Sequence, residues 1–110
     1  NLKPGFERRV GDKKMTAVGL LSVDLHIPES RSLKAKRKVV QSIIAKLRQR
    51  FNVAVAEVEF QDKWQRCKLG VSAVSNSGSH VDEQLRSALD SIEDMVMGRA
   101  VILDYDIEIL

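Results

Sequence analysis

Hydrophobic and polar residues alternate along three stretches of this chain, which is typical of β-strands that bury one face. The alternation predicts strands over Ala17–Ile27, Trp64–Val74 and Ala100–Leu110. A further stretch, Val53–Phe60, is rich in Val and Phe, residue types that strands favour, and it predicts another strand. The polar residues 61–63 between two of these strands suit a hairpin turn.

Two other stretches carry hydrophobic residues at spacings of three and four, the pattern of a helix with one apolar stripe. The first stripe runs from Leu33 to Phe51 and predicts a helix of about five turns. The second runs from Val81 to Val96, and Gly98 is well placed to end that helix.

Serine residues precede each helical stripe and are candidate N-caps, because a serine hydroxyl accepts a hydrogen bond from a free backbone N–H group. Ser30 and Ser32 are the candidates for the first helix. Ser79, followed by Asp82, resembles the serine-and-acid signature of a helix start and is the candidate for the second.

The predicted order of elements is strand, helix, strand, strand, helix, strand. This order most simply gives a ferredoxin-like α+β sandwich, in which two helices cover one face of a four-stranded antiparallel sheet. The helices run in opposite directions in that topology, so we expect the start of the first to lie near the end of the second. The single domain is placed at residues 15–110. Residues 1–14 show no period and hold seven charges, so we interpret them as a flexible N-terminal extension.

Positive charge is concentrated in the first predicted helix. Residues 29–51 contain eight Lys and Arg and one acid, whereas residues 77–110 contain two Arg and eight acids, although the formal net charge of the chain is only +3. Four of the cations crowd the helix start, where the helix dipole makes each one cost about 0.3–1 kcal/mol. Something anionic is therefore expected to compensate for them.

One hypothesis is an anion-binding surface, because free helix N–H groups and clustered cations suit the phosphates of RNA or DNA. The candidate residues are Arg31, Lys34, Lys36, Arg37 and Lys38. The alternative is an internal salt network with acids of the second helix. These acids are Asp90, Glu93 and Asp94 near the first helix's start, and Asp82 and Glu83 near its end. Lys36 and Arg37 flank the apolar stripe, and the stem of Lys36 is expected to cover apolar neighbours while its ammonium reaches water.

The open face of the sheet is a second candidate surface. An apolar patch is predicted there and suits self-association, either through the sheet face or through an edge strand; its residues are Val18, Leu20, Val74 and Ile102. RNA-recognition-style binding on the sheet is rejected, because the central aromatic residues are missing and the fourth strand adds carboxylates. Trp64 is interpreted as an anchor of the hairpin.

No constellation in the sequence predicts a catalytic residue, a cofactor or a metal site. Asp104, Asp106 and Glu108 share one strand face and could hold a divalent cation, but a solvated strand face is favoured. Cys67 is the single cysteine, so no internal disulfide can form, which suits a reducing cytoplasm; its thiol is predicted to be buried and inert. No apolar run approaches the ~18–20 residues that span a bilayer, so no membrane partner is expected.

Three segments resemble the YlxP-like family of small bacterial proteins of unknown function. They are SRSLKAKRKVV at Ser30–Val40, LRQRFNVAVAEV at Leu47–Val58 and QDKWQRCKLGVSAVS at Gln61–Ser75, and they cover nearly half of the domain. The resemblance implies the ferredoxin-like sandwich and brings no catalytic residue, substrate or cofactor. The neighbourhood of the family's genes to translation and transcription genes in some bacteria leans toward RNA.

The expected function is therefore non-enzymatic contact with RNA or a ribonucleoprotein through the basic start of the first helix. The alternative is a cytoplasmic interaction module, such as a homodimer through the open sheet face or an edge strand, whose helix charges pair internally. A third hypothesis, an enzyme that uses the strand carboxylates, requires tight binding of a divalent metal.

Overall fold

Four strands and two helices follow one another in the predicted order in the computed structural model, which describes residues 16–110. Their bounds are β1 Ala17–His26, α1 Leu33–Arg50, β2 Ala54–Glu59, β3 Arg66–Ser75, α2 Gly78–Val96 and β4 Val101–Ile109. The predicted ferredoxin-like α+β sandwich is confirmed. The predicted extension over residues 1–14 lies outside the described residues, and the domain boundary at residue 15 stays a prediction.

The sheet is antiparallel throughout and has the strand order β2-β3-β1-β4. The central strands β1 and β3 pair over their full length, from Ala17 opposite Ser75 to His26 opposite Arg66. Only one face of each strand and one stripe of each helix is apolar, so burying them together produces one core. Its fully buried residues include Leu21, Val23, Leu25, Ile43, Leu47, Leu69, Leu85 and Ile92. Neither helix of the described chain is long and apolar enough to cross a membrane.

Two of the three predicted helix caps agree with the structure. Ser32 caps α1, its hydroxyl accepting a hydrogen bond from the backbone N–H of Ala35 at 3.0 Å. Gly98 follows α2 with a φ of 81°, a left-handed conformation that suits glycine. The predicted cap Ser79 is wrong: Ser77 caps α2, because its extended backbone ends the preceding segment, and Ser79 lies inside the first turn.

Gly19 allows α2 to approach β1 closely. A Cβ atom at this position would lie 2.5 Å from Val81 Cγ1 and 2.9 Å from Leu85 Cδ1. Both distances are far shorter than the ~3.5–4.0 Å at which carbon atoms pack. The position of the second helix over the sheet therefore depends on the missing side chain of Gly19.

A β-bulge in β4 changes which of its residues face the core. Asp24 of β1 pairs with Asp104, but the next residue, Leu25, pairs with Ile102, so Leu103 is the extra residue. The extra residue reverses the alternation, and Ile102 packs against the core. The expectation that Ile102 belongs to the apolar patch on the open face is therefore wrong.

Lys36 is completely buried, with 0% of its surface exposed. Its Nζ donates hydrogen bonds to three backbone carbonyls, those of Phe60 at 2.6 Å, Gln61 at 3.3 Å and Arg66 at 3.1 Å. Glu57 Oε2 lies 2.9 Å from the same nitrogen. The expectation that this ammonium reaches water is wrong. Lys36 also does not belong to an anion-binding surface, because a buried and fully bonded ammonium has no donor left for a phosphate.

The surroundings of Lys36 meet the needs of a buried ammonium. An ammonium has three N–H donors, and the three carbonyls around the β2–β3 turn take all of them. Glu57 Oε2 accepts no hydrogen bond of good geometry, so its contact with Lys36 is chiefly Coulombic and neutralises the charge. The result is a firm connection between α1 and the turn that joins β2 to β3.

Phe60 shows how this connection shapes the turn. Its φ of 66° lies in the left-handed region, which a bulky side chain rarely adopts. Its carbonyl accepts hydrogen bonds from both Lys36 Nζ and the backbone N–H of Lys63. Its ring lies under the guanidinium of Arg66, 4.4 Å from the ring centroid, in a cation–π contact. Several contacts around Phe60 therefore hold it in this unfavourable backbone conformation.

Replacing Lys36 by Met is expected to lower the free energy of unfolding by about 3–5 kcal/mol, because removing one partner of a buried ion pair leaves the other charge uncompensated. Urea unfolding followed by circular dichroism measures the change. Lys34→Met is the matched control on the same helix: Lys34 is exposed, so its loss should change the free energy by less than about 0.5 kcal/mol.

If Lys36→Met prevents folding, adding Glu57→Gln removes the uncompensated carboxylate and is expected to restore part of the stability. A Lys36→Met protein as stable as the Lys34→Met control would contradict the structural role of this lysine.

Candidate nucleic-acid interface

Four exposed cations stand at the start of α1, and we call them the basic surface: Arg31, Lys34, Arg37 and Lys38. Arg31 lies immediately before the N-cap Ser32, and Lys34 and Lys38 lie one helical turn apart on the same face. The first turn of α1 contains no acid. The free N–H groups of a helix start therefore share this surface with side-chain cations, which makes it strongly electropositive.

The basic surface has no carboxylate partner among residues 16–110. Ion pairs within 4.0 Å in this part of the chain are Lys36–Glu57, Arg66–Asp24, Lys68–Glu59 and Arg86–Asp82. Arg31, Lys34, Arg37 and Lys38 occur in none of them. Their charge is thus open to an anion from outside the described fold.

The alternative hypothesis of a salt network between the helices is not supported by the described residues, because no ion pair among them joins α1 to α2. The exposed acids of α2 that were expected to meet the start of α1 are Asp90, Glu93 and Asp94. Asp82 instead accepts a hydrogen bond from Arg86 of its own helix at 2.9 Å, and this bond raises the pKa of Arg86. Arg50, near the end of α1, donates to the hydroxyl of Ser91 at 2.8 Å. The acids of α2 therefore do not neutralise the cations of α1 in this part of the chain.

Cations on the open face of the sheet differ from the basic surface because they are paired. Arg66 donates three hydrogen bonds to the carboxylate of Asp24, at 2.7, 3.0 and 3.3 Å. Lys68 Nζ lies 3.3 Å from Glu59 Oε2. The open face therefore offers little uncompensated positive charge to a phosphate.

An apolar patch does occupy one end of the open face. Val18 and Val74 are exposed and pair across β1 and β3, and Leu20 is exposed beside them. Val58 of β2 also faces this side and lies over Gly70, whose Cβ position would lie 3.1 Å from Val58 Cγ1. We call Val18, Leu20, Val58 and Val74 the open-face patch. Alternation along β2 was the available signal, because Val58 has the same parity as Ala56 and the opposite parity to the buried Val55.

The carboxylates of β4 stay exposed and separate. Asp104 lies opposite Asp24, Asp106 opposite Ser22 and Glu108 opposite Leu20 in the register with β1. No three His, Cys, Asp or Glu side chains of residues 16–110 are grouped in a way that could hold a metal ion. These carboxylates make the β4 edge acidic.

Cys67 is fully buried, as predicted, and it lies near the Lys36–Glu57 pair. Burial raises the pKa of the Cys67 thiol to about 12, and the negative charge of the nearby Glu57 carboxylate acts in the same direction. The thiol is therefore protonated at neutral pH, and a buried protonated thiol is a poor nucleophile.

Trp64 is 53% exposed and lines a depression together with Arg31 of the basic surface. An anchor residue would be buried, so the interpretation of Trp64 as a hairpin anchor is wrong. One signal in the sequence was available: Trp64 directly follows the polar turn residues 61–63, and β3 begins only at Arg66.

Comparison with known proteins agrees with the resemblance seen in the sequence. A family model described as a protein of unknown function (DUF503) matches residues 18–107. The uncharacterized protein YlxP of Bacillus subtilis (strain 168) is 34% identical over 76 residues, which cover 69% of this chain and 83% of that protein. Both matches assign the chain to a family without a known activity.

Two solved structures share the fold at low sequence identity. A hydantoinase/carbamoylase family amidase from Burkholderia ambifaria gives a TM-score of 0.58 at 11% identity, covering 88% of this chain and 28% of that one. A C-terminal segment of the alpha subunit of aIF2 from Pyrococcus abyssi gives 0.52 at 11% identity, covering 86% and 53%. At this identity the likeness shows the fold alone. With the family model matching residues 18–107 and YlxP matching over most of its length, the chain belongs to the YlxP-like DUF503 family of proteins of unknown function.

Proposed function

We propose that this protein binds RNA, free or within a ribonucleoprotein, through the basic surface formed by Arg31, Lys34, Arg37 and Lys38. The observation that carries the proposal is that these four exposed cations lack a carboxylate partner among residues 16–110, whereas Arg66, Lys68 and Arg86 each have one.

The location of the four cations strengthens this argument. Cations at a helix start are opposed by the helix dipole, each at a cost of about 0.3–1 kcal/mol. Phosphate reverses that cost, because it accepts hydrogen bonds from the free N–H groups and from the side chains together. RNA supplies a row of phosphates and so can meet several cations at once.

Self-association through the open-face patch is a second candidate function, supported by a separate observation. Val18, Leu20, Val58 and Val74 are exposed on one face of the sheet, and small residues of β2 and β3 leave a shallow depression of about 220 Å³ between Leu20 and Val58. Contiguous exposed apolar surface of this kind is typical of contact sites between proteins. The β4 edge suits a second copy less well, because its three carboxylates would face their own counterparts in an antiparallel pairing.

Binding of RNA is expected to weaken steeply with salt. Four phosphate contacts with a single strand predict a slope of about −3 for log affinity against log salt, which is roughly a 50-fold loss between about 50 and 200 mM. Fluorescence anisotropy of a labelled oligoribonucleotide over this range measures the slope. An affinity that does not change with salt would contradict contact through the basic surface.

The double variant Lys34→Glu, Lys38→Glu is expected to halve that slope and to weaken binding at low salt, because two of the four contacts are lost. Its free energy of unfolding should stay the same or rise slightly, since acids at a helix start are favourable. The matched control is Lys46→Glu, Arg99→Glu, which changes the net charge equally at exposed positions away from the basic surface. Equal loss of binding in both variants would show that only net charge matters.

Val74→Glu is expected to keep the protein monomeric at concentrations where the wild type self-associates, because it places a charge in the open-face patch. Sedimentation velocity over a concentration series measures this against the monomer mass of 12.3 kDa. Val101→Glu is the control: Val101 is equally exposed and pairs with His26 at the far end of the sheet, beside the β4 edge. Loss of association in Val101→Glu alone would assign the contact to that edge instead.

A further inference from the structure

A depression of about 470 Å³ adjoins the basic surface, between the loop that precedes α1 and the turn that joins β2 to β3. Its lining residues are Pro28, Ser30, Arg31, Trp64 and Gln65. Trp64 supplies a large aromatic face that is half exposed, and Arg31 supplies a cation without a carboxylate partner among residues 16–110. The depression therefore combines an open π-face with uncompensated positive charge.

The backbone around Trp64 is held in place by hydrogen bonds on both sides. The side-chain amide of Gln65 donates to the carbonyls of Pro28 at 3.1 Å and Ser30 at 3.2 Å. The backbone carbonyl of Gln65 accepts from the N–H of Ile27 at 2.9 Å. These three bonds tie the turn to the loop, so the loop segment that carries Arg31 and the turn that carries Trp64 are positioned before any ligand arrives.

Lys36 of α1 also fixes this turn. Its ammonium bonds the carbonyls of Phe60, Gln61 and Arg66, which flank Trp64 in the chain on both sides. A side chain on a turn held in this way loses little backbone freedom when it binds, and such preorganisation lowers the cost of binding. Trp64 therefore presents a half-exposed ring on a segment that is fixed on both sides.

The nearby charges favour an anionic ligand. Glu29 and Asp62 are exposed in the loop and the turn, but Arg31, Lys34 and Lys63 are exposed there as well, and Lys38 follows one turn along α1. The balance around the depression is therefore positive. A ligand that fits needs both negative charge and a flat face.

We propose that the depression binds single-stranded RNA, with one unpaired base stacked on the indole of Trp64 and the adjoining phosphates on Arg31 and Lys34. The proposal rests on the proposed RNA-binding function and names its substrate class. Bases in a duplex are already stacked and cannot reach a protein side chain, whereas unpaired bases stack readily on aromatic residues. Stacking accepts any base, so little sequence preference is expected.

Trp64 is the single tryptophan of the chain, so its fluorescence reports on this depression alone. Titration with oligouridylate should quench the emission with the same midpoint as the anisotropy of a labelled strand. A blunt RNA duplex and inorganic polyphosphate should compete for the basic surface and leave the emission unchanged. Equal quenching by polyphosphate, or by an acidic peptide such as oligoglutamate, would overturn stacking and indicate a general polyanion site.

The variant Trp64→Leu keeps an apolar side chain but removes the π-face. It should weaken binding of oligouridylate, measured by anisotropy, by roughly 5- to 150-fold, the range for losing one base–aromatic stack. Its affinity for polyphosphate should not change. Trp64→Phe keeps a ring and should retain most of the affinity. Urea unfolding checks that all three proteins are folded, and a half-exposed side chain predicts little change there.

The two proposals fail in different ways. Anisotropy that detects no salt-sensitive binding of any RNA overturns the RNA-binding function and, with it, the stacking site. Two results would overturn only the stacking site: RNA binding that leaves the tryptophan emission unchanged, or a Trp64→Leu protein that binds RNA with full affinity. Either result would leave the basic surface as the RNA contact.

Discussion

The contact of Lys36 with the β2–β3 turn determines how the rest of the candidate interface is built. One buried ammonium bonds three carbonyls and faces one carboxylate, and it thereby joins the first turn of α1 to the hairpin beside it. A buried charge is a weak source of net stability, but its partners fix geometry strictly, because any displacement leaves a charge unpaired. The turn with Trp64 and the helix start with the basic surface therefore keep one relative position.

Lys36 also explains how two kinds of lysine arise in one short segment. Lys34 and Lys38 point to solvent, while Lys36, two residues from each, points into the sheet. Residues two apart on a helix lie about 200° apart around its axis, so inward Lys36 requires outward Lys34 and Lys38. The sequence KAKRK at residues 34–38 thus contains one structural cation and three surface cations.

The element pattern followed from the sequence, because periods of two and of 3.6 are direct consequences of burying one face. What the sequence could not predict are departures from a period: the bulges at Leu103 and Val58 each add one residue, and each moves a neighbour to the opposite face. Ile102 was misplaced for this reason. The position of Lys36 beside the apolar stripe was visible, but the carbonyls that would receive it come from a turn 24 to 30 residues later, which periodicity does not locate.

The layered architecture places the two candidate surfaces on opposite sides of the molecule. The basic surface belongs to the helical layer, and the open-face patch lies on the other side of the sheet. α1 packs over β2, and α2 packs over β1, β3 and β4, so positive charge gathers at the β2 edge of the sheet and the carboxylates of α2 and β4 lie toward the other edge. A polyanion is then attracted to the first edge and repelled from the second.

A dimer formed through the open faces would leave both basic surfaces exposed, and two linked sites on one RNA bind more tightly than either alone. Self-association and RNA contact are therefore compatible in this fold, since neither covers the residues that the other needs.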